Sequence, residues 1–170
     1  SRRQRQMCIR DRRRSHGSWN SAWIRGNHSA AERERRIVVV KVMIVEDQPM
    51  VRLAMEQYLA SGKCYQTVAS ISNAAMAEAV CRKCGADLIL MDIMMPNMSG
   101  ETAIAKLKEK PNFNIPIIAL TADAVVGARE KYLSEGFVDY IVKPFNKQQI
   151  KEKIDIIFGS SNSAQENKME

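Results

Sequence analysis

The apolar positions of this chain recur with two alternating periods. Residues 37–45 form a β-branched run ending in Glu46-Asp47, the composition of a strand. Pro49 suits the first turn of a helix, which Val51, Leu53, Ala54, Met55, Tyr58 and Leu59 continue until Gly62. A shorter strand is expected at 65–69, and Ser72 or Asn73 caps a helix that runs through Met76 and Val80 to Gly85. The third strand covers 87–91, and its apolar run halts at the carboxylate of Asp92. After a loop closed by Pro96 and Gly100, a helix over 99–110 turns Ala103, Ile104 and Leu107 inward. A fourth strand at 115–120 ends at Thr121, with Pro116 near its start, where a missing donor costs little. A helix over 124–135 is closed by Gly136, and a fifth strand at 138–142 ends at Lys143-Pro144. Asn146 caps a last helix through Ile150, Ile154, Ile157 and Phe158.

Five strands alternating with five helices predict a doubly wound α/β fold, a parallel sheet covered on both faces. The unbroken apolar character of strands one, three and four agrees, because such strands are buried from two sides.

Charge then divides the chain. Residues 1–36 carry 11 Arg and no Lys against Asp11, Glu32 and Glu34, whereas 37–170 hold 15 basic and 16 acidic residues. The overall charge of +7 therefore belongs to the N-terminal segment, and the body is close to neutral. Residues 1–36 read as a disordered Arg-rich tail, either a nucleic-acid or anionic-surface arm or residues foreign to the working protein. The second reading is preferred, since the segment has neither Lys nor pattern, and nucleic-acid binding is not expected of the body. Residues 37–158 form the domain, and 159–170 a polar, disordered tail. No apolar run approaches the roughly 18–20 residues of a membrane span, so a cytoplasmic protein without membrane contact is expected. Cys8, Cys64, Cys81 and Cys84 are expected to be reduced there. Cys81 and Cys84 form a single pair without a second pair at ligand spacing and read as ordinary thiols. His16 and His28 lie in the Arg-rich tail and read as inert.

The polar groups that end the strands carry the chemistry. Glu46 and Asp47 follow strand one, Asp92 strand three, Thr121 strand four and Lys143 strand five. In a parallel sheet those ends share one edge, so these groups converge in a cleft. Three adjacent carboxylates need a compensating cation, and hard oxygen donors without imidazole or thiolate favour Mg²⁺. An ammonium and a hydroxyl beside the metal suit phosphoryl oxygens. The chemistry indicated is phosphoryl transfer, with Asp92 as acceptor.

Four stretches carry a resemblance: Ile44-Val45-Glu46-Asp47-Gln48-Pro49, Leu90-Met91-Asp92-Ile93-Met94-Met95-Pro96, Ala119-Leu120-Thr121-Ala122 and Tyr140-Ile141-Val142-Lys143-Pro144-Phe145. In order and at the right strand ends, they resemble the receiver domain of two-component response regulators, over about residues 41–158. The resemblance implies a flavodoxin-like, five-stranded sheet of order 2-1-3-4-5. It implies that Glu46, Asp47, Asp92 and the Met94 backbone carbonyl hold Mg²⁺, and that Asp92 takes a phosphoryl group from a partner's phosphohistidine. Lys143, before a cis Pro144, would pair with a phosphoryl oxygen. Thr121 would swing toward the phosphoryl group while Tyr140 turns inward, which remodels the face of helix four, strand five and helix five.

The implied partners are a histidine kinase or phosphotransfer protein and a downstream protein on that face. Met94 and Asp123 occupy the positions that tune water access to the acyl phosphate, and an apolar Met94 implies slow self-dephosphorylation. Only 12 residues follow Phe158. The output is therefore expected to be protein–protein, or the chain is a receiver fragment of a hybrid sensor kinase or of a DNA-binding response regulator. A Mg²⁺-dependent phosphatase on a similar fold is the rival from another class. It usually carries a second acid two residues after the nucleophile, where this chain has Met94.

Overall fold

The computed structural model describes residues 39–123 and 125–159. The readings placed on 1–36 and on 160–170 lie outside the described residues. Five parallel strands are present: β1 (Val40–Val45), β2 (Tyr65–Ile71), β3 (Leu88–Asp92), β4 (Ile117–Thr121) and β5 (Asp139–Val142). They lie in the order β2-β1-β3-β4-β5. The helices between and after them are α1 (Pro49–Ala60), α2 (Ala77–Cys84), α3 (Gly100–Lys108), α4 (Ala128–Glu135) and α5 (Lys147–Phe158).

Strand periodicity explains how the two faces are shared. Successive side chains point to opposite faces, and the core accordingly divides in two. Met43, Val45, Ile89, Met91, Ile117 and Ala119 pack with Ala77, Cys81, Ala103, Ile104, Leu107 and Tyr132 of α2, α3 and α4. Val42, Ile44, Leu88, Leu90, Ile118 and Leu120 pack with Met55, Leu59, Ile150 and Ile154 of α1 and α5. Every residue of β3 and β4 is buried, as a doubly covered central strand requires.

Element ends differ from the sequence reading where local geometry overrides pattern. The fourth helix, expected from residue 124, starts at Ala128 behind Gly127, whose φ of 87° is left-handed and offers no side-chain cap. Val125 and Val126, which the pattern placed inside that helix, stand exposed before it. The second helix opens as a 3-10 turn, Ala74–Met76, and its cap is Asn73, whose side chain accepts the Ala75 N–H. Strand two continues to Ile71, two residues beyond its expected end, and a register shift opposite Val42 and Met43 marks where its pairing with β1 slips. Strand four begins at Ile117; Pro116 lies just outside it and accepts the Ile89 N–H through its carbonyl. Asn146 forms the expected cap of α5, in a reciprocal pair with Gln149.

Candidate functional site

The strand order reverses between β1 and β3, and open α/β sheets place their ligands at that crevice. Glu46 and Asp47 follow β1 directly, Asp92 is the last residue of β3, Thr121 the last of β4, and Lys143 follows β5. The fold thus gathers the predicted groups at one sheet edge. Glu46, Asp92 and Thr121 are buried, while Asp47 is half-buried.

Glu46 and Asp92 are each held by a backbone N–H two residues further along the chain. The Gln48 N–H donates to Glu46 Oε1 at 3.1 Å, and the Met94 N–H donates to Asp92 Oδ1 at 3.2 Å. The Lys143 ammonium lies between the two acids, 2.7 Å from Glu46 Oε2 and 3.0 Å from Asp92 Oδ2. The Lys143-Pro144 peptide is cis, as expected. Arg52 of α1, which the sequence did not single out, donates to the Glu46 carbonyl at 2.7 Å and so fixes the acidic turn from behind. Gly100 brings the start of α3 against the end of β3: its N–H donates to the Ile93 carbonyl at 3.0 Å.

One ammonium pairs with two of the three clustered carboxylates. Burial pushes the Glu46 carboxyl up from its ordinary range, Lys143 opposes that shift, and the Asp92 charge adds to it. Burial also works against the Lys143 ammonium, but its contacts with Glu46 and Asp92 outweigh the penalty and hold it above the ordinary lysine value. One oxygen from each of Glu46, Asp47 and Asp92 lies within 4.8 Å of the others, close enough to hold one metal ion. Asp47 Oδ1 is buried with no hydrogen-bond partner among the described residues. An all-oxygen donor set with an orphaned buried carboxylate oxygen fits a hard divalent cation of the Mg²⁺ type.

This excess of negative charge yields a stability prediction. Asp47→Ala removes an unpartnered buried oxygen and one of three mutually repelling acids. It should raise the unfolding free energy of the chelator-treated protein by about 1 kcal/mol. Urea unfolding with EDTA and with Mg²⁺ checks this: the variant should gain nothing further from Mg²⁺, whereas the wild type should.

Thr121 does not stand free in the cleft. Its Oγ1 accepts the Asp123 N–H at 3.0 Å and lies 2.8 Å from the hydroxyl of Tyr132 in α4. Tyr140, expected to move with Thr121, is half-buried, and its ring packs 5.7 Å from that of Tyr132. Tyr132 escaped the sequence reading; its spacing of four from the buried Ala128 marks only a core position. Met94 is 71% exposed, a thioether at the mouth of the cleft. Cys81 is buried and Cys84 half-buried, both as free thiols, in keeping with an ordinary pair. Among the described residues no helix is long and apolar enough to cross a membrane.

The model of the response regulator receiver domain matches residues 42–155. The sensor histidine kinase TmoS of Ectopseudomonas mendocina is 36% identical over 115 residues, which cover 67% of this chain and 12% of that protein. The probable C4-dicarboxylate response regulator DctR of Priestia megaterium is 28% identical over 114 residues, covering 67% and 50%. This chain thus spans half or less of these curated relatives. Among solved structures, the receiver domain of a sensor histidine kinase from Pseudomonas aeruginosa, with a magnesium ion coordinated in its active site cleft, aligns with a TM-score of 0.60. It is 30% identical and covers 69% of this chain and 96% of that one. The family match runs from β1 into α5 and so contains every strand end that contributes to the cleft, and the chain belongs to the response regulator receiver domain family.

Proposed function

We propose that this chain accepts a phosphoryl group on Asp92 from the phosphohistidine of a histidine kinase or phosphotransfer protein and relays the signal through a changed protein-binding face. The observation that carries the reading is the Lys143 ammonium lying between buried Glu46 and Asp92 beside the orphaned oxygen of Asp47. Glu46, Asp47 and Asp92, with the Met94 carbonyl, would hold Mg²⁺, which when bound neutralises charge on the phosphoryl oxygens.

The chain's own residues divide the work. An Asp92 carboxylate oxygen attacks phosphorus as the phosphorus–nitrogen bond breaks, and the imidazole nitrogen leaves with the electron pair and takes up a proton. Met94 N–H and Lys143 orient the Asp92 carboxylate before attack, and Lys143 then pairs with a phosphoryl oxygen. Thr121 donates its hydroxyl to the phosphoryl group in the product state. Tyr140 follows it, and α4, β5 and α5 present the altered face. The exposed thioether of Met94 offers no proton to orient a water molecule, so the acyl phosphate is lost slowly.

Likeness to TmoS supports a receiver within a hybrid kinase as an equal setting for the same chemistry, and likeness to DctR supports one joined to a regulatory output. A phosphatase is disfavoured by Met94, which stands where a second acid would serve turnover. Intact mass after incubation with Mg²⁺ and acetyl phosphate separates these readings. The wild type should gain one labile phosphoryl group only with Mg²⁺, and Asp92→Ala should gain none. Continuous release of phosphate over many turnovers would establish the phosphatase instead.

A further inference from the structure

The resemblance places the switch in Thr121 and Tyr140, but Tyr132 stands between them. Its hydroxyl lies 2.8 Å from Thr121 Oγ1, and its ring lies 5.7 Å from that of Tyr140 and 6.0 Å from that of Phe137, edge-on to the latter. Tyr132 is 2% exposed, and Thr121 is its hydroxyl's only hydrogen-bond partner among the described residues. A hydroxyl buried that deeply needs a partner. Thr121 Oγ1 has one proton and two lone pairs, and the Asp123 N–H already engages one lone pair. Either hydroxyl can donate in the Thr121–Tyr132 pair; with Thr121 as the donor its single proton is committed to Tyr132, and a phosphoryl oxygen on Asp92 would compete with Tyr132 for that proton.

We infer that Tyr132 is a positioning residue: its buried hydroxyl latches Thr121 toward α4, and the phosphorylated state is reached only by breaking that bond. The inference rests on the receiver reading and adds to it a cost built into this chain. When Thr121 turns to the phosphoryl group, the Tyr132 hydroxyl is left unpaired in the core, so the ring must shift as well. Its contact with the Tyr140 ring passes the shift to β5. The latch thus opposes switching without a phosphoryl group and couples the two switch residues when one is present.

The test uses the full chain, Mg²⁺ and beryllofluoride as the phosphoryl mimic. Tyr132→Phe keeps the ring and removes the competing bond, so it should bind beryllofluoride roughly three- to tenfold tighter than the wild type. The gain should persist with Thr121→Ser, which keeps a hydroxyl, and vanish with Thr121→Ala, because Tyr132 acts through that hydroxyl. A merely structural role would give the same effect in all three backgrounds and would overturn the inference, as would unchanged or weaker binding by Tyr132→Phe. Three-bond couplings at Thr121 in the phosphoryl-free chain give an independent reading. The wild type should show one χ1 rotamer and Tyr132→Phe an average of two; one unchanged rotamer in the variant overturns the latch. A wild type that binds no beryllofluoride would sink the receiver reading itself, while the couplings still report whether the latch exists.

Discussion

Lys143→Met should cost the metal-free protein about 3–5 kcal/mol of unfolding free energy, because it strips from two buried acids the one cation paired with them among the described residues. Glu46 and Asp92 are almost wholly inaccessible, and the Lys143 side chain is 18% exposed, so water cannot replace the ammonium cheaply. Met preserves the length and apolar packing of the stem, which assigns the loss to charge rather than to a cavity. The deficit narrows with metal present. In the variant a divalent cation becomes the principal countercharge, so Mg²⁺ should stabilise it more than it stabilises the wild type. Urea unfolding of both proteins in EDTA and in saturating Mg²⁺ measures the four values. A variant within about 1 kcal/mol of the wild type in EDTA would mean that the acids are already neutral or solvated, contrary to the geometry. Phosphoryl uptake should fall independently, by roughly a hundredfold, because in the proposed function Lys143 also pairs with the transferred oxygens.

Much of this molecule could be read from its sequence because apolar runs and helical spacing are local signals. Strands β3 and β4 are visible as uninterrupted apolar segments, and Glu46, Asp47, Asp92, Thr121 and Lys143 each end or follow a strand. Topology alone then brought Glu46, Asp47, Asp92, Thr121 and Lys143 together. The signals that failed were those that depend on backbone angles or on reach across the fold. Val125 and Val126 continue the helical pattern, yet the left-handed Gly127 starts α4 after them. Arg52 looks like a solvated helix residue until α1 is docked and its guanidinium meets the Glu46 carbonyl. Tyr132 carries no sequence signal beyond a spacing of four from Ala128, and its hydroxyl bond to Thr121 exists only because α4 packs against β4. Gly100 read as a loop closure, although the closeness of its backbone to the acceptor strand is what demands glycine there.

That closeness makes Gly100→Ala the second large effect. A Cβ at position 100 would lie 2.5 Å from the Asp92 carbonyl oxygen and 3.1 Å from the Ile93 Cα, both backbone atoms that no rotamer change can move aside. Alanine normally gains up to about 1 kcal/mol over glycine in a helix, through propensity and a less disordered unfolded chain. Here the overlap with backbone should outweigh that gain and leave the variant about 2 kcal/mol less stable. The relief available is a shift of the α3 start away from β3, and Asp92 is the residue displaced. A displacement near 1 Å at a reacting group costs on the order of a hundredfold in rate, so phosphoryl uptake should fall far more than stability does. Ser99→Ala provides the control. It removes the cap bond from the Thr102 N–H to Ser99 Oγ, 3.2 Å, and should cost about 1 kcal/mol without moving Asp92. If both variants lose stability but only Gly100→Ala loses uptake of acetyl phosphate, the glycine serves the position of the acceptor. Equal losses of uptake would mean that any weakening of α3 disables the site, and that the contact at Gly100 has no separate role.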